Sequence, residues 1–199
     1  MAIITLHKER LQYNFERLDY FFKLKEIQWS VVTKILCGNE LFLKEVLNLM
    51  PDQVCDSRVS NLKAIKKINP KVETIYIKPT PKRSVASVVK YADISMNTDI
   101  ETIKLLSAEA QKQNKIHKII IMIELGELRE GVMRDDIISF YDQVFQLKNI
   151  EVTGIGTNLS CLYGVLPNTD KLIQLSLYKQ LIEAKFNKKI PCVSGGSSV

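Results

Sequence analysis

Four short segments of this 199-residue chain carry residue types that do chemistry. The first is Val31-Val32-Thr33-Lys34-Ile35-Leu36-Cys37-Gly38-Asn39, in which a lysine closes an apolar run. An amine in such a partly desolvated place has its pKa lowered toward nucleophilic chemistry. The second, Glu124-Leu125-Gly126-Glu127-Leu128-Arg129-Glu130-Gly131, offers in Arg129 an always-charged fork for an oxyanion. The third is Gly154-Ile155-Gly156-Thr157-Asn158-Leu159-Ser160-Cys161. Its glycines and polar Thr157 and Asn158 suit close approach of a ligand, and equally a simple turn. The fourth, Val193-Ser194-Gly195-Gly196-Ser197-Ser198, can form a nest of backbone N–H groups and hydroxyls for a phosphate. Each has a plainer reading when taken alone: a snorkelling lysine, a solvated loop, a turn, a Gly/Ser tail.

The elements around these segments alternate. Leu11, Phe15, Leu18 and Phe22 recur at helical spacing, so the pattern predicts a helix over 8–24 after a short strand at 3–6. Strands are then expected at 28–32, 53–56, 74–77, 94–96, 118–124, 152–156 and 190–194. Helices are expected between them at 40–49, 58–68, 82–90, 98–113, 135–147 and 169–184, with Pro51 stopping the first and Thr98 capping the fourth. Strands alternating with helices in this way mean βαβ units and a parallel sheet. Setting the strand at 3–6 aside, the reading is an α/β fold, a TIM (β/α)8-type barrel with one strand too few. An open dinucleotide-binding sheet lacks its G-x-G-x-x-G. In a barrel, working residues lie at the C-terminal ends of strands, where all four segments fall.

Composition narrows the function. Hydrophobic residues make up 46% of the chain and charged residues 25%, enough to fill a core and too much order for a disordered chain. The longest apolar run, 119–123, is strand-sized, so no membrane span is expected. The N-terminus has no signal-peptide pattern, which places the protein in the cytoplasm. The net charge of +6 comes from scattered basic pairs with no aromatic interleaving, so an anionic small ligand is a better partner than nucleic acid. Cys37, Cys55, Cys161 and Cys192 form no C-x-x-C, and the only histidines, His7 and His117, are far apart. No metal site and no disulfide framework is expected.

A lysine after the first strand, an arginine loop and a late phosphate nest, in that order, describe a pyridoxal-phosphate site with Lys34 as Schiff-base former. On the same residues the whole chain resembles the N-terminal barrel of alanine-racemase-type, fold-type III pyridoxal-phosphate enzymes. It is most similar to their ornithine-racemase-like branch. Val32-Thr33-Lys34 with Cys37-Gly38-Asn39 resembles that branch's cofactor-lysine segment. The segments 125–131 and 154–159, with Cys161, resemble its next two blocks, and Ser194-Gly195-Gly196-Ser197-Ser198 its phosphate loop.

The resemblance implies that Lys34 carries the internal aldimine and exchanges the α-proton, and that Arg129 approaches the cofactor's phenolic oxygen. Asn158 takes the place of a ring-side histidine, and Ser194, Gly196, Ser197 and Ser198 bind the phosphate. Gly38 and Met122 stand where alanine racemases carry a tyrosine and a modified lysine, which argues for a different amino-acid substrate. Glu124 and Glu127 are candidates to meet the distal ammonium of ornithine or lysine, against a plain reading as solvated carboxylates. The family's eighth strand and C-terminal β-domain, the source of a second, tyrosine base across a homodimer interface, are not in this sequence. Residues 1–199 are therefore expected to be a truncated barrel domain, with 1–7 a strand belonging to the missing β-domain, and inactive alone. The alternative is a single-domain pyridoxal-phosphate carrier without racemase activity.

Overall fold

The structure is a computed structural model and describes residues 4–195. Two compact units divide the chain, residues 1–77 and 78–199. Seven strands alternate with helices among the described residues, in the expected order.

In the first unit, α1 (Lys8–Leu24) leads into β1 (Val31–Val32), α2 (Glu40–Asn48), β2 (Gln53–Asp56), α3 (Val59–Ile68) and β3 (Glu73–Tyr76). The strands pair in parallel, Val32 opposite Cys55 and Cys55 opposite Ile75. Residues 4–7 precede α1 without forming the expected strand, and Ile3 lies outside the described residues. No residue of α1 is buried; its Phe15 and Phe22 lie on the Trp29 ring, with centroids 5.1 and 5.7 Å away. β1 is shorter than 28–32 because only its last two residues join the ladder. Asn39 caps α2 by accepting from Leu41 N and Phe42 N, so the helix starts at the residue after it.

The second unit contains α4 (Val85–Tyr91), β4 (Ile94–Asn97), α5 (Ile100–Lys112), β5 (His117–Met122), α6 (Ile137–Phe145), β6 (Ile150–Gly156), α7 (Thr169–Phe186) and β7 (Cys192–Ser194). Here too every pairing is parallel: β4 with β5, β5 with β6, β6 with β7. The cap of α5 is Asp99 rather than Thr98; its carboxylate accepts from the backbone N–H and the hydroxyl of Thr102. β5 is an interior strand, paired on both sides. Ile119, Ile121 and Ile123 are completely buried against Ile103, Tyr141, Val144, Leu175 and Ile182 from the covering helices. Full burial of one such side chain contributes roughly 1.5–3 kcal/mol, so this layer is the main support of the strand ends above it.

Gly154 and Gly156, read from sequence as suited to a ligand, have an internal reason as well. A Cβ on Gly154 would lie 3.0 Å from Ile120 Cγ1, and one on Gly156 2.9 Å from Met122 Sδ. The close approach of β6 to β5 on that face needs residues without side chains. Among the described residues no helix is long and apolar enough to cross a membrane.

Candidate functional site

Lys34 leaves β1 by way of Thr33, whose N–H still bonds Cys55 O at 2.9 Å and so extends the ladder by one residue. A single 3-10 turn, Lys34–Leu36, follows. Thr33 is buried and turns its hydroxyl to Asp56 Oδ2 at 2.8 Å, whereas Lys34 itself is exposed. The desolvated lysine expected from the apolar run is therefore not found within the described chain: the run ends on Thr33, and the 3-10 turn lifts Lys34 off the sheet.

Asp56 organises this segment. It is fully buried and surrounded by donors: Thr33 Oγ1, Arg58 N at 2.8 Å, and Asn61 Nδ2 at 3.1 Å to each oxygen. Asn61 in turn meets the far end of the lysine loop, since a Cβ on Gly38 would lie 2.7 Å from Asn61 Oδ1. The carboxylate thus holds the start of the loop directly at Thr33, and its partner Asn61 packs against Gly38 at the other end. Burial pushes the neighbouring Cys55 thiol up to about 11, with the Asp56 charge adding to it against a Ser30 hydrogen bond. Cys55 is a filler rather than a nucleophile.

In the second unit, the loop after β5 carries Arg129. It returns to the sheet at Val132, which bridges to Ile123 in parallel. Gly131 makes that return possible at φ +142°, and a Cβ there would lie 2.3 Å from Glu124 N. Glu127 is 1% exposed and is used up by backbone. Its Oε2 accepts from Ser160 N and Val165 N at 3.1 Å, and its Oε1 from Tyr163 N at 2.8 Å and from Leu162 N. Burial pulls this carboxyl up, but the four N–H groups together hold it below the ordinary carboxylate value. Glu127 is the clamp of the 160–165 loop, which overturns its reading as a contact for substrate. Glu124 is drawn back into its own loop by Gly126 N, at 2.5 Å from Oε1.

Arg129 and Asn158, which stand 29 positions apart, are brought together by the residue between them in space, Glu130. Asn158 Nδ2 donates to Glu130 Oε1 at 2.7 Å, and Arg129 Nε stands 3.9 Å from the same oxygen. Cys161 Sγ donates to Asn158 Oδ1 at 3.1 Å and orients the amide. Ser194 ends β7 opposite Gly156, and its carbonyl accepts from Thr157 N at 2.9 Å. Thr157 is 5% exposed and its hydroxyl has no partner among the described residues. Its Cγ2 lies 4.0 Å from where a Cβ on Gly195 would stand. Gly196, Ser197 and Ser198 lie outside the described residues.

The structure thus gathers Arg129 and Asn158 into one cluster, sets Ser194 one residue away on the next strand, and places Lys34 after the strand of the other unit. Asp56 belongs with Thr33 and Lys34, and Glu130 and Thr157 with Arg129, Asn158 and Ser194; of these three only Asp56 lies outside the four segments. Glu130 had one signal, its position beside Arg129; Asp56 had only its place at a strand end.

Comparison with known proteins gives a consistent result. The model of the family "Alanine racemase, N-terminal domain" matches residues 6–199. The chain is 36% identical over 196 residues to the ornithine racemase of Acetoanaerobium sticklandii, covering 98% of this chain and 55% of that protein. It is 24% identical over 195 residues to the lysine racemase of Thermotoga maritima, covering 98% and 54%. The chain spans about half the length of these curated relatives. Among solved structures, alanine racemase of Clostridium difficile 630 superposes with a TM-score of 0.68 at 12% identity, over 85% of this chain and 46% of that one. That likeness gives the fold class: an α/β barrel of the TIM type, incomplete at seven strands.

Proposed function

The chain belongs to the alanine racemase N-terminal domain family, and on that premise we propose that its protein is a pyridoxal-phosphate-dependent racemase of a diamino acid such as ornithine or lysine. The observation that carries this reading is the 36% identity to an ornithine racemase, which runs through 98% of the chain and hence through all four strand-end segments. The departures at Gly38 and Met122 from the alanine racemase pattern support the same direction.

The residues present fit the cofactor. Ser194, Gly196, Ser197 and Ser198 would hold its phosphate, and the buried hydroxyl of Thr157, without a partner among the described residues, is a further donor on the residue whose N–H bonds Ser194 O. Bound pyridoxal phosphate supplies an electron sink that makes the substrate's α-proton removable. Lys34 provides the amine that anchors the cofactor and, once free, holds and moves that proton at its Nζ. Arg129 would set a fixed positive charge toward the phenolic oxygen, and Asn158 would take the ring-side position, its amide set by Glu130 and Cys161. The base for the opposite face, a tyrosine in the family, comes from a region outside these 199 residues and from the second subunit of a homodimer. Residues 1–199 alone are accordingly inactive as a racemase.

The test is made on the complete protein. Borohydride reduction after loading with pyridoxal phosphate should label Lys34, and chiral chromatography should show racemisation of ornithine or lysine ahead of alanine. A label on another lysine removes the site. A labelled Lys34 with no racemisation of any amino acid moves the function to a cofactor carrier.

A further inference from the structure

We infer that Glu130 is the residue that selects a basic side chain, its Oε2 accepting the distal ammonium of the substrate while its Oε1 holds Asn158 and Arg129. The inference rests on the racemase reading above and adds a specificity residue to it.

Three carboxylates lie on the loop that carries Arg129, and the structure separates their tasks. Both oxygens of Glu127 are occupied by the backbone of 160–165. Glu124 folds onto Gly126 N within its own turn. Glu130 differs from both. Its side chain is only 11% exposed, yet just one of its oxygens is engaged. Asn158 and Arg129 both address Oε1, and Oε2 has no hydrogen-bond or ion-pair partner among the described residues.

The charge on Glu130 is also poorly answered. A strong guanidinium–carboxylate contact is about 2.7–2.9 Å and usually two-pronged. Arg129 offers one nitrogen at 3.9 Å, and Asn158 offers a neutral amide. A mostly buried carboxylate left in this state gains most from a second cation. Of the substrates named for the curated relatives, ornithine and lysine carry that cation as a distal ammonium. A methyl side chain leaves Oε2 bare, and an acidic one is repelled. Because Asn158 bonds the same carboxylate, Glu130 is tied to the residue that the racemase reading sets beside the cofactor ring.

A site built around a polar group rejects an analogue that lacks it far more strongly than it rejects a missing methylene. Ornithine and norvaline have the same carbon chain and differ only in the distal amine, so their comparison isolates Glu130. The probe is calorimetry on the complete holoenzyme after borohydride reduction, in which no turnover occurs, with racemisation of each amino acid by untreated enzyme measured beside it. The parent should bind ornithine about 10–100-fold more tightly than norvaline, the worth of one hydrogen bond to a charged group. Glu130→Gln keeps an acceptor for Asn158 and removes the charge; it should reduce that ratio at least about tenfold, the loss falling mainly on ornithine. Glu130→Asp should fall between the two. Equal losses for ornithine and norvaline in Glu130→Gln would overturn the inference, because they mark a residue that only positions Arg129 and Asn158. An unchanged ratio would overturn it as well. Failure of the racemase reading looks different: the parent itself would take no label on Lys34 or racemise nothing.

Discussion

The Thr33 hydroxyl stands 2.8 Å from Asp56 Oδ2 and joins the residue before Lys34 to the end of the neighbouring strand. The bond is buried on both sides, so nothing from solvent replaces it. Asn61, bonded to the same carboxylate, packs against Gly38 at the other end of the 34–38 loop.

Thr33→Val keeps the shape and removes the donor to a charged group, a change that costs about 1.5–3 kcal/mol. Chemical denaturation should show that loss. Hydrogen exchange should quicken at residues 34–39 while β5 keeps its protection, and Thr33→Ser should restore both. A uniform change across the chain would mean that the bond stabilises the unit without positioning Lys34.

Gly131→Ala places a methyl group 2.3 Å from Glu124 N, at a φ of +142° that alanine avoids. The return of the loop to Val132 must then open. The variant should lose at least about 2 kcal/mol of stability and bind pyridoxal phosphate more weakly, since Arg129 and Glu130 ride on the same loop. Thermal melts and cofactor titration on the complete protein check both. Tight cofactor binding in a destabilised variant would separate the loop from the site.

Glu127 gives the 160–165 loop a pH dependence with a definite sign. Its carboxyl is held below the ordinary value in the fold, so its contribution is present above the unfolded carboxylate pKa and is lost as pH falls through the lower folded one. Amide protection at Ser160, Leu162, Tyr163 and Val165 should persist at pH 5 and disappear only in stronger acid. Glu127→Gln should lose that protection already at neutral pH and make 160–165 the first site of proteolysis. A loop that stays protected in the variant would show that Glu127 is not its clamp.

His117 acts in a milder range. Burial pulls it down to about 4, with Asp93 opposing and Lys115 adding to the shift; its Nε2 lies 2.8 Å from Ser95 Oγ. The unfolded chain takes up the proton first, so stability is complete above about pH 6.5 and declines as pH falls toward 4, by about 3 kcal/mol in all. Urea midpoints at pH 7, 5.5 and 4.5 should follow that decline, and His117→Gln should flatten it. An equal slope in the variant would assign the dependence to other groups.

Much of this molecule was written in its order of residues. The period of the apolar residues changes from two to about 3.6 and back along the chain, and each change is local. It therefore marked every strand from 28 onward and every helix, with errors only at ends such as β1 and the cap of α5, where Thr98 and Asp99 compete and side-chain geometry chooses Asp99. The rule that a barrel works at the C-terminal ends of its strands then pointed to Lys34, Arg129, Asn158 and Ser194. What each polar group has left to give is another matter. Glu124, Glu127 and Glu130 are equal in sequence, and their difference comes from which N–H groups lie within reach. Glu127 is spent on a loop more than thirty positions away, whereas Glu130 shares one oxygen with Asn158 and keeps the other open. Asp56 likewise became part of the lysine segment only when β1 and β2 paired and set Thr33 beside it. Hydrogen bonds saturate within about 3 Å, so their allocation belongs to the folded chain, while hydrophobic periodicity belongs to the sequence.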